Sequence, residues 1–484
     1  MMSLRVFGFV GSIASLCFAD QIPLDKALER LEAGNHSLQA GADRVDAARY
    51  TEKATWGNFL PIVKLEVSAQ HLDRDLVLDL DPIRSAIIQG QTQDAVNMQN
   101  LQSLLTTQTT LTDPQKLAAA TAAGQTYSAA IPHFLDTIKT QNHWLGNIQV
   151  YQPLFHGGRI YAANKVASAR SQAAVSERER QAADLRRDFT KLYVQASILR
   201  ASISLRQEAL VAMESHRARA QQLVEQGMTD RTATLRAELA LADGRTALAD
   251  DSTKLNSIAI TLAQMSGESG ETFPSDAMME LPPMPSNPAD LERAVVDRHP
   301  LVQSLNAQAD LASRAIAVKN ADFLPEIGAF GKYEINQSAL SALEPNWVVG
   351  VKGSVVLFHG GNDYFSRESS KATKREVLAM REEAISAIRA QVERQVLSLQ
   401  QARLRYENQG HQEELAKENH RMVTLRFEQG QATSLEIVDA WLQMQKVQLE
   451  RIAALGDAWL ALLEIHWASG TSSEFVETWK GMRK

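Results

Sequence analysis

The chain is written twice, and that duplication limits every fold it can adopt. Leu154-Phe155-His156-Gly157-Gly158 recurs 203 residues later as Leu357-Phe358-His359-Gly360-Gly361. Glu225-Gln226-Gly227 recurs as Glu428-Gln429-Gly430, and Ser266-Gly267 as Ser469-Gly470, both at the same offset. Three landmarks in one register mean two copies of one unit without net insertion. The upstream parts match more loosely. Leu24-Asp25-Lys26-Ala27-Leu28 resembles Leu291-Glu292-Arg293-Ala294-Val295, Asn35-His36-Ser37-Leu38 resembles Arg298-His299-Pro300-Leu301, and Phe59-Leu60-Pro61 resembles Phe323-Leu324-Pro325. The spacing predicts a first repeat over 20–272, a linker over 273–288 with five prolines, a second repeat over 289–470 and a tail over 471–484.

Each copy reads as helix, strand, strand, very long helix, helix. Proline is absent from Leu154 to Phe273 and from Asn346 onward, so nothing forces a break there. Leu185, Phe189, Leu192, Ala196, Leu199 and Ile203 alternate spacings of four and three, and Ile388, Val392, Leu399 and Ala402 hold the matching places in copy two. That is coiled-coil spacing. Long helices are expected over 159–226 and 230–266, and again over 362–429 and 433–468. The first of these is ~100 Å long at ~1.5 Å per residue, far more than a globular domain needs. Gly227 and Gly430 mark the hairpin tips, and Asp230 and Thr433 have the chemistry of N-caps for the returning helices.

The strands alternate instead. Val63, Leu65 and Val67 interleave with Lys64, Glu66 and Ser68, and Val349 and Val351 alternate toward Lys352 and Ser354. Strands are expected over 62–70, 146–155, 326–335 and 347–358. An apolar face backed by a polar one suits a membrane barrel with a wet lumen. Trp56, Trp144, Tyr151, Tyr333 and Trp347 near strand ends suit an interfacial aromatic belt. Four strands cannot enclose water, and an open edge in lipid leaves backbone groups unpaired, so several chains must share one barrel. The stretch 73–140 between the first two strands is rich in Ala, Gln and Thr; it is expected as a surface insertion, with Gln91 to Thr107 able to form a helix.

Residues 1–19 read as a signal peptide, with Arg5, an apolar run from Val6 to Leu16, and small residues before Asp20. Cys17 is the one cysteine, so a chain cleaved after Ala19 holds no disulfide or thiolate site. The formal charge of −7 argues against a nucleic-acid partner. No phosphate-binding glycine loop, nucleophile elbow or zinc spacing is present, and neither catalysis nor a cofactor is expected.

In order and duplication, Ala27 to Leu38, the Phe-Leu-Pro pair, Pro153 to Gly158 with its second copy, and the Glu-Gln-Gly tips resemble the TolC family of outer-membrane efflux proteins. The resemblance implies a mainly α fold with membrane β. Long antiparallel helical hairpins would build a periplasmic α-barrel, and four strands would contribute to a trimeric transmembrane β-barrel. It also implies an exit duct in the cell outer membrane that extends into the periplasm. Its partners would be a periplasmic adaptor (membrane fusion) protein, an inner-membrane efflux pump or ABC transporter, and outer-membrane lipid. A soluble periplasmic coiled-coil adaptor, or an envelope structural protein, is the alternative that the residues leave open.

The residues singled out lie at two places. At the tips, Gly227, Asp230, Arg231, Phe427, Gly430 and Thr433 are candidates for adaptor contact. Glu436 and Asp439, three apart on one helix face, would in the family point into the tunnel, where three subunits make stacked carboxylate rings that attract cations. Thr433-x-x-Glu436 is equally a capping box. Copy one has Ala233 and Arg236 in those positions, so only the second hairpin supplies the rings. The family's closing latch uses a Tyr and an Arg where this chain has Phe427 and Ala432, which leaves Arg231 as a candidate closing contact. At the joints, His156, Gly157, Gly158, His359, Gly360 and Gly361 set local geometry where the family usually has Asp or Asn; two histidines so far apart make no metal site.

Overall fold

The computed structural model describes residues 20–276, 280–285, 288–340 and 344–482. The signal-peptide reading over 1–19, and Cys17 with it, lies outside them. The chain divides into a helical unit, made of residues up to Thr55, Tyr161–Asn320 and Gly361 onward, and a sheet unit, Trp56–Ile160 with Ala321–Gly360.

The helical unit begins with β1 (Asp20–Ile22), α1 (Leu24–Gly34) and α2 (His36–Trp56). Then come the rod α5 (Arg159–Glu225), its return α6 (Thr232–Met265) and β6 (Thr272–Pro274), which pairs in parallel with β1. Copy two repeats the pattern with α7 (Pro288–Arg298), α8 (Pro300–Ala321), the rod α9 (Asn362–Glu428) and the return α10 (Ser434–Ala468). The two rods are both 67 residues long. Their seams carry the expected residues: Phe189, Ala196, Ile388, Val392 and Leu399 are all buried.

The main core gathers Leu24 and Leu31 of α1, Phe189 and Tyr193 of α5, Leu399 of α9, and Trp459 and Leu462 of α10. A last helix, α11 (Ser472–Gly481), closes it with Phe475 and Trp479. Trp459 meets the Trp479 ring of this helix at 4.8 Å and 73°. Asp276 lies inside the proline-rich linker, yet it is buried, and its Oδ2 accepts from Tyr193 Oη, Leu24 N and Trp479 Nε1, each at 3.0 Å.

The two copies also cap their second helices differently. Asn35 Oδ1 accepts from the backbone N–H of Ser37 at 2.9 Å and of Leu38 at 3.1 Å, while its amide donates to Met265 O at 2.7 Å. In copy two, His299 Nδ1 accepts the N–H of Leu301 at 3.1 Å, and its ring packs edge-on to Trp467. Asn35 thus corresponds to His299. The sequence pairing of His36 with His299 is one residue out, because cap geometry and not residue type fixes the equivalence.

In the sheet unit, β2 (Ile62–His71), β5 (Asn142–His156), β7 (Glu326–Glu334) and β8 (Trp347–Ser354) form an antiparallel sheet in the order β2-β5-β7-β8. The register lines Leu65, Ile148, Tyr333 and Trp347 across one face. Glu66 and Asn147 are paired on the other, where Gln149 Nε2 donates to Glu66 at 2.7 Å. β2 and β8 are unpaired edges. β8 stops at Ser354, short of the expected 358, and the following Leu357 and Phe358 are 91% and 86% exposed. β5 keeps its pairing to His156 because β7 lies beside it; the end of β8 has no neighbour.

The stretch 73–140 is ordered. A β3 (Leu76–Asp79) and β4 (Leu135–Lys139) ribbon carries a helical hairpin, α3 (Asp81–Thr107) and α4 (Asp113–Ala130). The helix expected over 91–107 begins ten residues earlier, at Asp81-Pro82, where proline suits the first turn.

Candidate functional site

The hairpin tips are built alike. Gly227 and Gly430 take φ of 72° and 71°, a left-handed backbone that side chains resist. Met228 N bonds Leu223 O at 2.9 Å and Gly227 N bonds Val224 O at 3.0 Å; Gln431 to Arg426 and Gly430 to Phe427 repeat the pair at 2.8 and 2.9 Å. These are Schellman ends, and they satisfy carbonyls that the rods leave open. The returns start differently. Thr433 caps α10 in a reciprocal capping box with Glu436, whereas α6 follows Arg231, and Asp230 accepts the Thr232 N–H at 2.8 Å. The Thr232 hydroxyl, which also donates to Asp230, and that N–H hold the Asp230 carboxyl below its usual range. Arg231 is exposed.

Glu436 and Asp439 are both exposed on α10. Glu436 Oε2 accepts the Thr433 N–H at 2.8 Å, and Thr433 Oγ1 accepts the Glu436 N–H at 3.3 Å. The equivalent Ala233 is buried, and its carbonyl accepts from Ser434 Oγ at 3.2 Å. The first hairpin thus uses the position of Glu436 for packing, and carries the exposed base Arg236 where α10 has Asp439.

Sequence reading missed a histidine pair behind the tip. His216 of α5 bonds Ser434 Oγ at 3.1 Å and packs edge-on to Phe427, which is itself buried. His216 and His420 line one small cavity of about 120 Å³ with Met213 and Trp441. Burial, the neighbouring His420 and Arg219 push the His216 pKa down to about 4; burial also lowers His420. Arg219 pairs with Glu428 across the two rods. Phe427 was legible only as a replaced latch residue; its fit against His216 needed the fold. Beside Trp441, a groove of about 440 Å³ runs between α6 and α10, walled by Leu239, Leu435, Val438 and Leu442.

At the joints, Gly157 and Gly158, and Gly360 and Gly361, all have positive φ between 57° and 79°. A Cβ on Gly157 would fall 2.6 Å from the Leu324 Cβ, so a close approach adds to the backbone demand there. His156 Nε2 lies 3.1 Å from Tyr151 Oη. His359 follows the end of β8. Among the described residues no group of His, Cys, Asp or Glu has metal-binding geometry. No described helix is long and apolar enough to cross a membrane.

The sequence profile of the family described as "Outer membrane efflux protein" matches residues 27–268 and 293–471. The chain belongs to that family. As an outer membrane efflux protein it is a channel protein of the cell outer membrane that reaches into the periplasm, and it provides an exit duct for export. The solved structures similar to it agree in fold. The VceC outer membrane protein of Vibrio cholerae is 15% identical at a TM-score of 0.67, covering 92% of this chain and 96% of its own. The Campylobacter jejuni CmeC outer membrane channel is 11% identical at 0.68, covering 95% and 90%. The open state of the Neisseria gonorrhoeae MtrE outer membrane channel is 15% identical at 0.67, covering 93% and 89%. No curated protein matches the sequence.

Proposed function

We propose that three copies close a twelve-stranded barrel and form the passive exit duct of a tripartite efflux pump or type I secretion system. The observation behind this is the sheet: four strands in fixed register, one face apolar and one polar, with both edges exposed along their length. In lipid such edges need partners, and identical copies supply them. The rods form an α-barrel in the periplasm, with the tips meeting a periplasmic adaptor and, through it, an inner-membrane pump or ABC transporter. Export energy comes from that partner, and the duct performs no catalysis and holds no cofactor. Glu436 and Asp439 form the selective constriction at the tip.

The test is extraction and reconstitution. Detergent-extracted protein should sediment as a trimer, resist dissociation until heated, and give discrete conductance steps in planar bilayers. A folded monomer released by osmotic shock would overturn the reading.

A further inference from the structure

The α3–α4 hairpin carries a face with nothing against it among the described residues. Ile83, Ile87, Met98, Leu101 and Leu105 are all exposed, Leu105 by 76%, and at 3.6 residues per turn they fall on one narrow stripe of α3. The opposite side of α3 is the one that meets α4, where Thr92 and Val96 are shielded. The hairpin itself is well held: Thr112 and Gln115 close a capping box on α4, and Asn100 Oδ1 accepts the Leu111 N–H at 2.9 Å. Its charges are few. From Asp81 to Ala130 they are Asp81, Arg84, Asp94, Asp113 and Lys116. Two of them serve its base, since Arg84 donates to the carbonyls of Ile131 and Ser128 at 2.9 and 2.6 Å, and Asp81 accepts the Phe134 N–H at 2.9 Å.

This composition selects among occupants. A helix that lies on a lipid surface carries Lys and Arg on its polar side, and here Lys116 is the one base not engaged at the root. Near-neutral hairpins, by contrast, meet one another without repulsion. Position favours the same occupant. The β3–β4 ribbon continues the β2–β5 pair, and β2 is the open edge where the next copy joins. Twelve strands at ~4.8 Å spacing and ~40° tilt enclose a ring of roughly 24 Å, so three hairpins rooted on it stand roughly 20 Å apart. A pair of helices at ~10 Å each is about that wide.

We propose that the three α3–α4 hairpins dock on one another through the Ile83–Leu105 stripe, forming a helical cap on the outer mouth of the channel. The cap rests on the trimeric reading above, and the test separates the two. In a Cys17→Ser background, Met98→Cys and Leu105→Cys channels are treated with a short bis-maleimide, beside Gln93→Cys on a different face of α3. Assembly is followed independently by sedimentation. The stripe cysteines should give covalent dimers at roughly tenfold the Gln93→Cys yield, and adding Leu101→Asp to Met98→Cys should abolish that product while sedimenting trimers persist. Assembled trimers with equal yields at all three positions, or a product indifferent to Leu101→Asp, overturn the cap alone. Absence of trimers overturns the cap and the exit-duct reading together.

Discussion

Glu436 accepts the backbone N–H of Thr433 at 2.8 Å, so the carboxylate proposed for the constriction also begins its own helix. The two roles separate by substitution. Glu436→Gln keeps an oxygen for the cap and removes the charge. The Glu436→Gln/Asp439→Asn channel should therefore keep its melting temperature while losing most of its cation preference and its block by divalent cations. Unchanged selectivity and block in single-channel records would retire the ring. Glu436→Ala should additionally destabilise by about 1 kcal/mol, the usual cost of a lost cap contact.

Acid should loosen the helical unit. Burial and Arg187 push His299 down to about 4, burial with His420 and Arg219 does the same for His216, and the fold holds both rings neutral. An unfolded histidine takes up its proton near ~6.5. The contribution is thus fully present above that pH and declines as pH falls toward about 4, by about 1.4 kcal/mol per pH unit for each ring. Thermal melts from pH 7.5 to 4.5 should show this decline. His216→Gln/His299→Gln should flatten it, and an equal slope in that variant would remove the histidines as its cause.

The Asp276 carboxylate joins three separate segments through Leu24, Tyr193 and Trp479. Burial, and then the negative charge of Asp276, push the Tyr193 phenol up, which keeps that group a donor. Asp276→Ala leaves the Leu24 N–H and the Trp479 indole N–H without an acceptor, while Tyr193 Oη keeps Ile22 O at 2.8 Å, and should cost at least ~2 kcal/mol, against ~1 kcal/mol for Tyr193→Phe. Urea unfolding of the helical signal measures both; similar costs would show that the carboxylate is not the hub.

Gly430 at the second tip has open space around it, so Gly430→Ala isolates backbone strain. It should destabilise by ~1–2 kcal/mol, and Gly227→Ala by the same amount. A neutral effect by calorimetry would mean that the tip changes its turn instead.

The rods and tips were legible because each rests on local rules: heptad spacing needs only Leu185 to Ile203, and a Schellman end needs only its glycine. The sheet was legible from alternation. What escaped the sequence depended on distant partners. Phe475 and Trp479 look unremarkable until Trp459 stands beside them, and His216 acquires its burial from Phe427 on the other rod. In the 73–140 stretch the helical tendency of Gln91 to Thr107 was legible, but the pairing of α3 with α4 was not, because the contact shields little more than Thr92 and Val96. Asn35 and His299 show the converse error, where a shared histidine nearby drew the alignment away from a shared cap.

The bare end of β8 has a cost before the channel exists. A subunit newly delivered to the periplasm carries Leu357 and Phe358 uncovered beside an unpaired strand, a combination that invites indiscriminate sticking. Its most hazardous moment is the interval between export and capture by its sisters. Yield in the cell should accordingly follow how fast holdase chaperones hand subunits onward, more than how firmly the finished product resists heat.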